Sequence, residues 1–264
     1  MMRGSRLIAL LTDFGWRDHF VGVMKGVIAG IAPRAAVVDL CHDVEPQNID
    51  HARFLLRVSL PYFPKGTIFV CVVDPGVGSA RRALCAASGG RFFIGPDNGL
   101  FTEVLSESGA KAREITNPRL RLQELSQTFH GRDVFAPAAA HLAAGVPPSK
   151  LGKLVRDPVL LPPLDPVRTG RRFWCGRVAH IDRFGNLITN LPAASFLPPA
   201  VRGVAVHAGF QTITRICRSY AEAPEGELFL IAGSSGTIEI SLHQDSAARR
   251  LGVAIGAPVD VEIW

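Results

Sequence analysis

The stretch RLIALLTDFG, residues 6–15, decides the fold. An apolar run from Leu7 to Leu11 stops at Thr12 and Asp13, as a short strand buried on both faces does when it ends in a polar corner. Next, Phe20, Val23, Met24, Val27, Ile28 and Ile31 recur at helical spacing. Gly22, Gly26 and Gly30 fall every fourth residue on that helix. Each costs it about 1 kcal/mol, so the stripe predicts close packing of the helix backbone on a neighbour. AVVDL (36–40) reads as a second strand. NIDHARFLLRVSLPYF (48–63) reads as a second helix capped by Asn48, and TIFVCVVD (67–74) as a third strand. ALCAAS (83–88) and RFFIG (91–95) are further strands joined by a Gly-Gly turn. PDNG (96–99) turns into the helix LFTEVLSES (100–108), and DVFAPAAAHLAAG (133–145) is a late helix with a proline near its start. This alternation predicts an α/β sheet domain.

From about Gly145 to Asp165 the chain becomes rich in proline, which suits a linker or an extended wrap. Beyond it, RRFWCGRVAHID, NLITNL, GVAVHAGF, ELFLIAG, TIEISL and PVDVEIW read as strands separated by turns. Residues 1–165 are therefore expected to form an N-terminal α/β domain with a proline-rich linker at its end. Residues 166–264 are expected to form a smaller C-terminal β-domain, a barrel or a sandwich.

Composition narrows the function classes. With 47% hydrophobic and 20% charged residues, the chain can bury an ordinary core. No apolar run approaches the ~18 residues of a membrane helix, so no membrane partner is expected. Arg3 and Arg6 ahead of the first apolar run mimic a signal peptide, but Thr12 and Asp13 end it early and no cleavage site follows. The five cysteines are odd in number and form no CxxC pair. They read as buried free thiols in a reducing cytosol, with no zinc site, and the expected location is cytoplasmic. The net charge of +6 comes mainly from scattered arginines. Nucleic-acid binders concentrate their charge in a patch, so no such partner is expected.

Open α/β sheets bind ligands beyond the carboxyl ends of their strands. Three acidic corners fit that rule: Thr12-Asp13-Phe14-Gly15 with Asp18, Asp39-Leu40-Cys41-His42-Asp43, and Asp74-Pro75-Gly76-Val77-Gly78-Ser79 with Arg81. Singly, each reads more readily as a cap or a turn. The third is the most unusual, because proline stiffens it and two glycines allow close backbone approach. His130, in TFHGRD (128–133), precedes a helix, with Asp133 a possible cap. In the second domain, IDRFGN (181–186) reads as a hairpin turn. GSSG (233–236) is a flexible corner suited to an anion, without the lysine of a phosphate loop.

Taken together, TDFG…D, VDPGVGSAR, PDNGL, TFHGRD-F-APAAAHLA and ID-FGN-TN, in that order from about Leu7 to the C-terminus, resemble the S-adenosyl-L-methionine hydroxide adenosyltransferases, relatives of the fluorinases and chlorinases. The resemblance implies an N-terminal α/β domain, a C-terminal β-barrel-like domain, and a homotrimer with sites between subunits. It implies hydrolysis of S-adenosyl-L-methionine to adenosine and L-methionine, without metal or cofactor. It places an Asp–Arg–His set on Asp74, Arg81 and His130. Asp13 matches the ribose-diol carboxylate, and Asp18 and Asp182 match acids near the methionine ammonium. Phe184 and Asn186 match the nucleobase side, and Ser234 a methionine-carboxylate contact. Gln47 stands where the fluorinase has tryptophan, and Gly233 where asparagine is common.

The residue chemistry agrees with that implication. A sulfonium leaves as a neutral thioether, so what is needed is a water in line with the ribose 5′ carbon. Asp74 and His130 are each able to take a proton, and the sequence leaves the base open. Three other readings compete. Asp74 and His130 argue against a halide transferase, whose aligned positions differ. A non-catalytic binder of S-adenosylmethionine or adenosine keeps the same polar set. A metal hydrolase using His42, Asp43, His51 and Asp74 matches no HExxH-type ligand pair.

Overall fold

A computed structural model describes residues 7–264; the leader-like start, with Arg3 and Arg6, lies outside the described residues. The chain divides between Pro163 and Leu164 into two compact units.

In the first unit β1 (Leu7–Thr12), β2 (Ala36–Cys41), β3 (Ile68–Val72) and β5 (Arg91–Pro96) run parallel. β4 (Ala83–Ser88), β6 (Lys111–Glu114) and β7 (Leu154–Val155) add antiparallel pairs, giving the order β2-β1-β3-β5-β4-β6-β7. Strand alternation sorts the core into two layers. Ile8, Leu10, Ile68 and Val70 pack with α1 (Phe20–Ile31) and α4 (Ala136–Ala143). Ala9, Leu11, Phe69 and Cys71 pack on the other face with α2 (Ile49–Ser59) and α3 (Thr102–Leu105). The Asn48 side chain caps α2 by accepting from the His51 N–H at 3.0 Å.

Three local expectations change. The Gly22–Gly26–Gly30 stripe faces outward, and a methyl at any of the three positions would meet no neighbouring atom. The close helix approach falls instead at Gly131, where a methyl would press on Met24 and Phe129. The helix expected over residues 100–108 is the single turn α3. The late helix opens with a π-helical turn, Gly131–Phe135, before α4.

The proline-rich stretch up to Pro163 lies as an extended strap on this unit. The Val159 N–H donates to Asp97 at 2.8 Å and the Leu161 N–H to Thr102 Oγ1 at 2.9 Å. Arg82 bridges Asp97 and Asp157. Arg53, only 1% exposed in its side chain, donates to Asp50, to both oxygens of Glu103 and to the Pro162 carbonyl.

The second unit is an antiparallel sheet that curls almost closed. It comprises β8 (Val167–Arg168), β9 (Phe173–Ile181), β10 (Leu187–Pro192), β11 (Val204–Ala208), β12 (Gln211–Ile213), β13 (Leu228–Ala232), β14 (Thr237–Leu242) and β15 (Pro258–Ile263). The order is β12-β11-β15-β9-β10-β14-β13, with β8 on β9. After β12 the chain continues onto β13 through a Leu230 N–H to Arg215 carbonyl bond of 2.8 Å, which nearly joins the two edges. Val178, Leu187, Val206, Leu230, Ile240 and Val261 fill the interior. The short helices α5 (Ala193–Phe196) and α6 (Ala247–Leu251) add to that core. No helix among the described residues is long and apolar enough to cross a membrane.

The Arg53 cluster sets a stability test. Arg53→Ala strips the donors from Glu103 and Pro162 and should cost about 3 kcal/mol in urea denaturation, the lower end for a broken buried pair because both carboxylates reach solvent. Arg53→Met with Glu103→Leu should recover most of it. A loss below about 0.5 kcal/mol in the single variant would show that the strap is not held there.

Candidate functional site

The carboxyl ends of β1, β2, β3 and β5 share one edge of the first sheet, and β4, antiparallel to β5, begins there. The segment from Asp74 to Arg81 leaves β3 and returns to β4 along this edge. Gly78 sits in its bend with φ +79°, and a Cβ there would press on the Gln127 carbonyl. The fold-back sets Arg81 beside Asp74. Nε donates to Oδ1 at 3.0 Å and Oδ2 at 3.1 Å, and Nη2 to Oδ2 at 2.5 Å. Both side chains are nearly buried, at 10% and 6% exposure. The Phe135 ring lies 5.3 Å from the guanidinium carbon.

The same Nη2 meets Nδ1 of His130 at 2.7 Å. A guanidinium only donates, so Nδ1 is the acceptor, and the ring is neutral with its proton on Nε2. Burial first, then the charge of Arg81, pull the His130 pKa below the ordinary 6.5, in accord with that tautomer. The histidine opens the π-helical turn. Its loop is held by Asp133, fully buried, which accepts from the Ser126 N–H at 2.7 Å and from Arg132. Asp133 is thus a loop anchor inside the turn rather than a helix cap.

Asp13 follows β1 on the same edge. Burial raises its pKa, the Gln47 N–H donated to Oδ2 at 2.8 Å offsets part of this, and the charge of Asp74 adds to the rise. Gln47 holds the left-handed φ of +63°, rare for a residue with a side chain and typical of functional corners. Asp18 is exposed just ahead of α1. His42 and His51, read above as conceivable ligands, are engaged elsewhere: His42 with Thr12 and Asp39, His51 with the Glu45 N–H. Among the described residues no group of three or more His, Cys, Asp or Glu side chains is arranged to hold a metal.

The second unit carries the remaining residues. Asp182 locks the turn after β9: Oδ1 accepts from the Phe184 and Asn186 N–H groups and Oδ2 from the Asn186 side chain, all at 2.8–2.9 Å. Gly185, at φ +87°, lies against Ser246 where no Cβ fits. Asp182, the 78% exposed Phe184 and Asn186 line a cavity of about 690 Å³, together with Tyr220, His243 and Arg249. Ser234 does not line it; it is exposed on the β13–β14 turn.

Sequence reading missed Glu239 and Tyr220. Glu239 is buried, accepts from the Tyr220 hydroxyl at 2.7 Å, and would clash with any Cβ at Gly233. Burial raises its pKa, and Asp182 adds to the rise. In TIEISL, Glu239 and Ser241 alternate with isoleucine and read as a solvent face, yet the whole strand is buried. Tyr220 opens a single 3-10 turn, Tyr220–Glu222, ahead of β13 and left no signal.

Residues 8–152 match the SAM hydroxide adenosyltransferase N-terminal domain, and residues 176–260 match the C-terminal domain of the same family. The chain is 42% identical to the (R)-S-adenosyl-L-methionine hydrolase of Thermus thermophilus, over 96% of this chain and 98% of that one. It is 36% identical to the enzyme of that name from Salinispora arenicola, over 97% of each. A Nocardia brasiliensis fluorinase is 32% identical over 70% of this chain and 71% of its own. A crystal structure of a conserved Thermotoga maritima protein superimposes with a TM-score of 0.89 at 37% identity, over 96% and 99% of the two chains.

The His130 geometry is testable without any substrate. By nitrogen-15 NMR the ring should carry its proton on Nε2 and titrate below 6.5. In Arg81→Met, where the cation goes and Asp74 stays, its pKa should rise. A wild-type ring that titrates above 7, or one indifferent to Arg81, would contradict the arrangement.

Proposed function

The chain belongs to the SAM hydroxide adenosyltransferase family, and we propose that it hydrolyses S-adenosyl-L-methionine to adenosine and L-methionine. The observation that carries this reading is the single hydrogen-bonded group formed by Asp74, Arg81 and His130 at the strand ends.

Water attacks the ribose 5′ carbon, the carbon–sulfur bond breaks, and its electron pair neutralises the sulfonium. The proton lost by water goes to Asp74. His130 does not take it, because its one lone pair is occupied by Arg81; its Nε2–H instead donates. Arg81 balances the carboxylate and supplies N–H groups for developing hydroxide character. The departing thioether is neutral, so it needs no Lewis acid, metal or cofactor.

Around this centre Asp13 accepts the ribose diol, since one carboxylate can accept from two hydroxyls. Asp18 and Asp182 serve the methionine ammonium, Phe184 and Asn186 the nucleobase, and Ser234 the methionine carboxylate. The family resemblance supports those assignments, a homotrimer with sites at subunit interfaces, and a cytoplasmic location. Light scattering that reports a stable monomer would remove the trimer.

A halide transferase is the weaker reading. A halide ~4 Å from an ionised Asp74 would be opposed by about 4 kcal/mol at an effective dielectric near 20, of which Arg81 offsets only part.

Purified protein should convert S-adenosylmethionine to adenosine and methionine with or without chelator, and faster from the (R)-sulfonium epimer that its relatives' names specify. In oxygen-18 water the label should enter the adenosine 5′ oxygen. Asp74→Ala and His130→Ala should each lower kcat by ~10²–10⁴ while binding survives better. Unlabelled adenosine, or a 5′-chloro nucleoside as the main product in high chloride, would overturn the water mechanism.

A further inference from the structure

A second polar chain crosses the same sheet edge, separate from the Arg81 group. Lys25 Nζ donates to Asp39 Oδ2 at 2.6 Å, and Asp39 Oδ1 meets His42 Nε2 at 2.9 Å. His42 Nδ1 meets Thr12 Oγ1 at 2.8 Å, and Thr12 Oγ1 accepts the Phe14 N–H at 3.2 Å. The His42 carbonyl accepts the Gly15 N–H at 2.7 Å. Thr12 and His42 are buried, whereas Asp39 and Lys25 reach solvent at 29% and 35% exposure. The exposed ring of Trp16 stands edge-on to His42 at 4.7 Å.

With a neutral ring, one direction uses each group once. Thr12 has one hydroxyl proton and gives it to Nδ1, while its oxygen receives Phe14. The imidazole proton then sits on Nε2 and goes to Asp39, whose second oxygen takes Lys25. The His42 ring thus holds the Thr12 hydroxyl, which in turn holds the Phe14 N–H, so the residues on either side of Asp13 are tied to it; the Gly15 N–H is held separately by the His42 main-chain carbonyl.

We propose that His42 and Asp39 are positioning residues for Asp13, setting where its carboxylate meets the ribose diol. The proposal rests on the assignment of Asp13 to the diol made above. A carboxylate that must receive two hydroxyls at once tolerates an error of only about 0.5 Å. Apolar packing would stabilise the corner without fixing its direction; a hydrogen-bonded chain fixes both. The alternative is that the chain merely staples β1 to β2, in which case its loss would affect every ligand equally.

Calorimetry with two nucleosides separates these. Adenosine presents the diol, and 2′,3′-dideoxyadenosine does not. His42→Leu should weaken adenosine about tenfold, the scale on which outer partners of a liganding group act, and leave the dideoxy compound within about twofold. Asp39→Asn, which preserves shape, should weaken adenosine less and in the same selective way. His42→Asn, which still offers Thr12 an acceptor, should recover part of the loss. In Asp13→Asn, adding His42→Leu should cost nothing further for adenosine. In turnover, KM should rise more than kcat falls. Equal loss for both nucleosides, or additive loss with Asp13→Asn, overturns the proposal. If His42→Leu does not fold, Asp39→Asn decides by the same criterion. Wild-type protein that binds neither nucleoside instead overturns the nucleoside reading of the site itself.

Discussion

Arg81 is the fixed point of the first unit's reactive edge. A guanidinium keeps its proton at any pH the protein meets, so every contact it makes runs one way. Asp74 must accept with both oxygens and His130 must accept with Nδ1. The neighbour thus fixes which nitrogen of the neutral ring carries the proton, and, after burial, helps to hold the ring's pKa down. Lysine would not replace this residue: a single ammonium has no rigid fork with which to face a carboxylate and an imidazole together. The bend at Gly78 and the loop anchored by Asp133 bring in the two segments that the fork joins.

The strands that make both cores were legible because they are buried and apolar. RLIALLTD, TIFVCVVD and RFFIG became β1, β3 and β5, and each strand read beyond residue 165 has a counterpart in the second sheet. The elements that escaped are short or polar. β6 is Lys-Ala-Arg-Glu and β7 has two residues, so neither carries a pattern long enough to read. The glycine stripe on α1 misled because regular spacing says which residues share a face, not whether that face is covered.

For the site, the residue types were legible and their company was not. Arg81 and His130, whose side chains meet, lie 49 positions apart in the chain, a distance bridged by sheet topology and not by local pattern. The first two acidic corners read as separate features, yet Thr12 and Asp39 are links of one hydrogen-bonded chain through His42. Glu239 was hidden by an alternation that usually means solvent.

The contact between Gly233 and Glu239 has an evolutionary consequence. The carboxylate occupies the volume that a side chain at 233 would fill, and Tyr220 holds it there. The glycine therefore cannot gain a side chain while the acid keeps this place. A chain that acquires asparagine at 233 must shorten or turn aside the acid on β14, and one that loses the acid opens room for the asparagine. Order therefore matters: a side chain placed at 233 before the acid moves will read as more damaging than the same change made after it.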